Sequence, residues 1–170
     1  MIVLSIDPGT TRSAWLVFDT TAGQPLGTDL RGIEPNGDLL ERLRGWHDAA
    51  RVGEVPFIGA LVVERIEPRY GLNVGWETIR TCEFVGALGE AAHLLPVALL
   101  RRSDILRHLG VAARGAADPG VRAALMDRWG GAASVRKGGP LHGITTHLWS
   151  ALSVAVTWAD MSPAEREAPR

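Results

Sequence analysis

Cysteine occurs once, at Cys82, so no intrachain disulfide can form and the sequence reads as that of a protein kept in a reducing compartment. Lysine also occurs once, at Lys137, against 17 arginines, a bias that genomic base composition produces without help from function. Neither sign of charge is in excess: the net charge of −1 gives no global basic footprint for nucleic acid, and any such binding must rest on a local patch. No apolar run reaches the length of a membrane span. The opening "MIVLSID" lacks the basic stretch and following apolar run of a signal peptide. The expectation is a cytoplasmic protein with no membrane partner. Repeats, low-complexity tracts and linkers are absent too. The sequence therefore predicts a single domain over residues 1–161, followed by a flexible polar tail over 162–170.

What is present is a regular alternation of elements. "IVLSI" is a short continuous apolar run, suited to a strand buried on both faces, and "RSAWLVFD" is a second strand. Between them "DPGTT" is a turn, with Pro fixing φ and Gly admitting φ > 0. A weak third strand is expected over 28–33. "NGDLLERLRGWHDAAR" carries Leu39, Leu40, Leu43, Trp46 and Ala50 at helical spacing, behind Asn36 or Asp38 as a cap. "FIGALVVERI" is a buried strand that runs into Glu64, and "GWETIRTCEFVGALGEAAHL" is a long helix in which Gly86 and Gly89 permit close packing. "PVALLRRSD" is a short strand, "DPGVRAALMDRWGG" a helix capped by Asp118, "VRKGGPLHG" a flexible basic loop, and "TTHLWSALSVAVTWAD" a helix apolar almost all round. The order predicts an α/β domain with a mixed five-stranded sheet, antiparallel hairpins first and parallel strands after, flanked by helices.

Two acids stand where acids are costly. Asp7 ends the first strand, and a carboxylate at the mouth of a buried strand needs a partner or a cation. The plainer reading is a turn Asp bonding its own backbone. Glu64 ends the fourth expected strand, where the plainer reading is a salt bridge to an Arg. His147 and Ser150, three apart near the start of the apolar helix, share a face. Taken together, these are the parts of a divalent-metal site of the kind that hydrolyses phosphodiesters.

The stretches "IDPGTTRSAW", "LVVERIEPRYGLNVGWETIRTCEFVG", "DPGVRAALMDRWGG" and "GPLHGITTHLWSALSVAVTWAD", in that order, resemble the RuvC-like Holliday-junction resolvases of the ribonuclease H-like superfamily, and most of all their phage and prophage branch. The resemblance implies a homodimeric, Mg²⁺- or Mn²⁺-dependent endonuclease that resolves four-way DNA junctions by paired hydrolysis. It implies that Asp7 and Glu64 are metal-binding acids, and that His147 fills a position where many members carry Asp and some His. Ser150 falls where cellular members have a last Asp; Asp104 and Asp118 are candidate stand-ins for that charge. For DNA, Tyr70 is a candidate to stack on an unpaired base, and Arg65, Arg69, Arg136 and Lys137 to meet phosphates, with Arg101, Arg102 and Arg107 as further candidates. The small residues of the Glu77–His93 helix suit a dimer contact. Three other functions fit parts of the pattern: a junction-binding protein impaired in catalysis by Ser150, another ribonuclease H-like nuclease acting on flaps or hybrids, and an actin-like ATP-binding lobe that shares the "IDPGTT" hairpin.

Overall fold

The computed structural model describes residues 1–67, 74–92, 95–112 and 117–167. Strands β1 (Ile2–Asp7) and β2 (Arg12–Asp19) form an antiparallel hairpin, in register from Ile2–Asp19 to Asp7–Ala14. Two further strands pair with β2: the two-residue β3 (Gln24–Pro25) and β4 (Arg31–Pro35). Helix α1 (Asn36–Arg51) then crosses to β5 (Ala60–Arg65), which lies parallel to β1, and α2 (Trp76–Ala91) crosses to β6 (Val97–Arg101), parallel to β5. The remaining helices are α3 (Arg102–His108), α4 (Ala117–Arg128), α5 (Leu148–Asp160) and α6 (Pro163–Glu167).

The antiparallel-then-parallel order is the expected one, with one strand more than foreseen. The expected third strand starts at Arg31, because Thr28–Leu30 is taken up by a 3-10 turn. The added β3 is two residues of sheet edge ending at Pro25, which has no N–H to extend a ladder.

The two-residue period of the strands sorts the core into two layers. Leu4, Ile6, Val17, Leu61 and Val63 pack with Leu39, Leu43 and Trp46 of α1 and with Phe84 and Leu88 of α2. Val3, Leu16, Phe18, Val62 and Leu100 pack on the other face with Leu125 of α4 and Leu152 of α5. Helix α5 is apolar all round because it has neighbours all round: β1, β2 and β5 beneath it, α3 and α4 beside it. Burial of a Leu or Val side chain is worth about 1.5–3 kcal/mol, so α5, buried from Ala151 to Trp158, anchors that layer. Ser5, itself buried, donates its Oγ–H to Ala151 O at 2.9 Å and pins the first turn of α5 to β1.

Two local expectations are corrected. Segment 134–144 is a packed arch and not a loose loop: Leu141 and Ile144 are buried, Leu141 N donates to Ser134 O at 2.9 Å, and the Arg31 guanidinium donates to His142 O. A Cβ on Gly139 would stand 2.2 Å from Ser134 O, so the arch needs that glycine. Within the segment expected as a tail, Pro163–Glu167 forms the short helix α6. Ser162 N donates to Glu165 Oε2 and Glu165 N to Ser162 Oγ, a reciprocal capping box, and Arg166 donates to Trp158 O and Ala159 O. Finally, Gly86 and Gly89 of α2 meet nothing within contact distance of a Cβ, so they serve no close packing among the described residues.

Candidate metal centre

The site is built where β1 and β5 end. Ile6 is paired with Val63, so Asp7 and Glu64 each stand one residue further along neighbouring parallel strands. Paired residues share a sheet face. Both carboxylates leave on the face of Val3 and Val62, which is the α5 face. Both are largely buried, with side-chain exposures of 17% and 14%. Burial raises the pKa of Asp7 above its ordinary value, against the lowering effect of His147 and Arg102. Burial, and then the charge of Asp7, push Glu64 up to about 7.

Helix α5 brings His147 to this end of the sheet, in the position just before its first helical residue. His147 Nδ1 lies 3.2 Å from Asp7 Oδ2, and the ring is otherwise exposed. The preceding Thr146 takes φ of 39°, a strained conformation for a β-branched residue, at the point that delivers the imidazole. His147 forms the wall between two clefts. One is lined by Asp7, the 8–12 turn and Ile33; the other by Asp118, Arg122, Thr145, Thr146 and Ser150. The plainer reading of Asp7 as a turn-forming side chain does not hold, since its hydrogen bond goes to His147; Asp19 is the residue that bonds its own turn, at Thr21 N and Ala22 N.

Glu64 has an Arg partner, as its plainer reading expects. Arg102, the first residue of α3, places Nη1 3.3 Å from Glu64 Oε2 and Nη2 2.5 Å from Asp118 Oδ1. Asp118 therefore stands at the rim of the site, its charge felt by both Asp7 and Glu64, and lies within the first turn of α4. Asp104 is held by Arg107 on α3, at 3.0 Å. Ser150 lines the cleft shared with His147 and Asp118.

The turn after Asp7 is clamped by residues that sequence reasoning missed. Asn36, expected as a helix cap, makes no cap bond; the cap position is Pro35. Its side chain instead donates to Gly9 O at 3.0 Å and accepts from Ser13 Oγ at 2.8 Å, while Gly9 N donates to Ser13 Oγ at 3.1 Å. The signal was present in part: an Asn at a helix start can serve either neighbour, and only the β2–β4 pairing decides which. A Cβ on Gly9 would lie 2.2 Å from Arg12 O, so the turn admits no side chain there.

Among the described residues no three His, Cys, Asp or Glu side chains stand close enough to enclose an ion. The donors nonetheless fit a divalent cation of the kind held by one or two carboxylates, with water and phosphate oxygens for the rest. Two buried carboxylates whose negative charges oppose each other gain most from a cation between them. Of the DNA candidates, Arg65 is half-buried in β5, and Arg136 and Lys137 are exposed on the arch. Arg69 and Tyr70 lie outside the described residues. Arg101 pairs with Glu67 at 3.5 Å. No helix among the described residues is long and apolar enough to cross a membrane.

This sheet order, antiparallel then parallel with helices on both faces, is the ribonuclease H-like fold that RuvC has. Thermus thermophilus RuvC in complex with a Holliday junction substrate is similar over 92% of this chain and 91% of that one, with a TM-score of 0.57 and 21% identity. A second Thermus thermophilus RuvC structure covers 92% of both chains, with a TM-score of 0.57 and 18% identity. No family model matches the sequence, and no curated protein does.

Proposed function

We propose that this chain is a metal-dependent endonuclease that cuts four-way DNA junctions, working as a homodimer with Mg²⁺ or Mn²⁺, and that it belongs to the phage and prophage branch of the RuvC-like enzymes. One observation carries the reading: Asp7 and Glu64, 57 positions apart in the chain, end on one face of neighbouring strands with His147 against the first of them. The fold shared with a RuvC bound to a junction supports the choice of substrate.

In this reading Asp7 and Glu64 hold the cation. When bound, a divalent ion supplies Lewis-acid polarisation of a phosphate and a more acidic water. His147, with Nδ1 turned to Asp7, keeps Nε2 for the open side of the site, where it adds a nitrogen donor or takes a proton from an attacking water. The Ser13–Asn36–Gly9 clamp fixes the turn behind Asp7 so that its carboxylate keeps one direction. Arg136 and Lys137, exposed on the arch that leads into His147, meet the phosphate backbone. Arg65, Arg69 and Tyr70 complete the DNA contacts.

The test is cleavage of a labelled four-way junction by the wild-type protein and by Asp7→Asn, beside flap and RNA–DNA hybrid substrates. Symmetric nicking by the wild type alone supports the reading. Equal nicking by both proteins removes it, and preference for a flap or hybrid moves the substrate within the same class. A second reading has one observation in its favour: Ser150 is neutral where the resemblance leads to a last Asp. A protein that shifts the junction in a gel and cuts nothing with either metal is a binding module.

A further inference from the structure

One arginine, Arg102, stands between two acids of the site. Arg102 is only about one quarter exposed, and its two nitrogens are divided between two acids of unlike setting. Nη1 stands 3.3 Å from buried Glu64, which is 14% exposed; Nη2 stands 2.5 Å from Asp118, which is 85% exposed. The contact to the buried acid is thus the longer one, and the shorter one goes to the acid at the rim. A guanidinium has one planar fork. It cannot approach Glu64 more closely on Nη1 and keep Nη2 on Asp118 unless the fork or the acids move.

Glu64 is also the side chain that a cation would need. A unit positive charge in contact with a carboxylate weakens that carboxylate's hold on a second cation, and the effect is strong where water is excluded. Asp118 acts in the opposite sense: by drawing the fork outward, it frees Glu64.

We propose that Arg102 is a latch on the metal centre, sharing its charge between Glu64 and Asp118, so that uptake of a divalent cation at Glu64 transfers Arg102 to Asp118. This rests on the reading of Asp7 and Glu64 as cation-binding side chains. Asp118 is then no ligand but the rest for the displaced arginine, which gives the stand-in acid a role without placing it on the ion. Arg102 is a positioning residue, and its effect is read in binding rather than in turnover.

The experiment is a double-mutant cycle on Mn²⁺ affinity, by calorimetry and by the loss of free-Mn²⁺ paramagnetic resonance signal, on Arg102→Met, Asp118→Asn and both together. Arg102→Met binds Mn²⁺ about tenfold more tightly, and Asp118→Asn binds about threefold more weakly, since its arginine falls wholly to Glu64. In the double variant the Asp118→Asn effect is gone. An Asp118 that ligated the ion, or acted only through its charge, would cost the same factor with or without Arg102, and that additivity overturns the latch. Should Arg102→Met fail to fold, Arg102→Gln replaces it, and Asp118→Asn, at an exposed side chain, still reports: unchanged affinity overturns the latch. Mn²⁺ binding by the wild type with none tighter in Arg102→Met removes the latch alone. No Mn²⁺ binding by any of the four proteins removes both the latch and the metal reading beneath it.

Discussion

Asp7 and Glu64 extend the paired register of β1 and β5 by one residue, and burial, followed by the charge of Asp7, pushes the pKa of Glu64 up to about 7. Two acids so placed make the folded chain resist carrying both charges, and this has a consequence for stability.

A carboxyl that titrates higher in the folded than in the unfolded chain makes the folded state the stronger proton binder between the two values, so stability falls as pH rises through that window. For Glu64 the window runs from the ordinary 4.5 to about 7, and Asp7 adds to it in the same direction. With chelator present, the melting temperature is expected to fall across this range. Glu64→Gln flattens the fall and melts a few degrees higher than the wild type at pH 8. Added Mn²⁺ restores the wild type and not the variant. Identical pH slopes for the two proteins would contradict the placement of Glu64.

The clamp behind Asp7 gives a second prediction. Removing the Asn36 side chain strands Gly9 O and Ser13 Oγ. Loss of a part-buried hydrogen-bond partner costs about 1–3 kcal/mol. Asn36→Ala therefore lowers stability by that order, measured by urea unfolding, and lowers junction cleavage without touching substrate. Asn36→Asp, which keeps the acceptor for Ser13, loses less stability than Asn36→Ala. Gly9→Ala is worse than either, because its Cβ meets Arg12 O and a backbone atom must move.

Ser150 gives a third. It lines the cleft beside His147 and carries no charge. Ser150→Asp adds an oxygen donor there, and cleavage in Mg²⁺ is expected to rise several-fold. An imidazole in the donor set suits Mn²⁺ better than Mg²⁺. Wild-type cleavage should accordingly be faster in Mn²⁺ at matched concentration, and His147→Asp should narrow that preference. Mg²⁺ equal to or better than Mn²⁺ for the wild type would remove His147 from the donor set.

The frame of the fold was legible because its signals were local and strong. "IVLSI" could be buried on both faces only within a sheet covered on both sides, and α1 was found to its last residue by the 3.6-residue spacing of Leu39, Leu43 and Trp46. The acids at the strand ends were legible as candidates only in combination, since each alone had a plainer reading, and the salt bridge weighed for Glu64 is there, to Arg102. What escaped depended on partners far along the chain. Glycines, a proline and a basic pair gave the 134–144 arch the look of a loose loop, yet Leu141 and Ile144 find the core and Arg31 reaches its backbone. Asn36 carried the residue type of a helix cap and spends its side chain on Gly9 and Ser13 instead. Arg102 was one of many arginines until the β5–β6 pairing, with Leu100 opposite Glu64, set the start of α3 beside that carboxylate.

The most direct test is anomalous scattering from crystals grown with Mn²⁺, measured on the wild type and on Glu64→Gln. A peak is expected between the carboxylates of Asp7 and Glu64 in the wild type, with the imidazole of His147 close by, and its loss or weakening in the variant. A peak elsewhere, or one at this place that persists undiminished in Glu64→Gln, would contradict it.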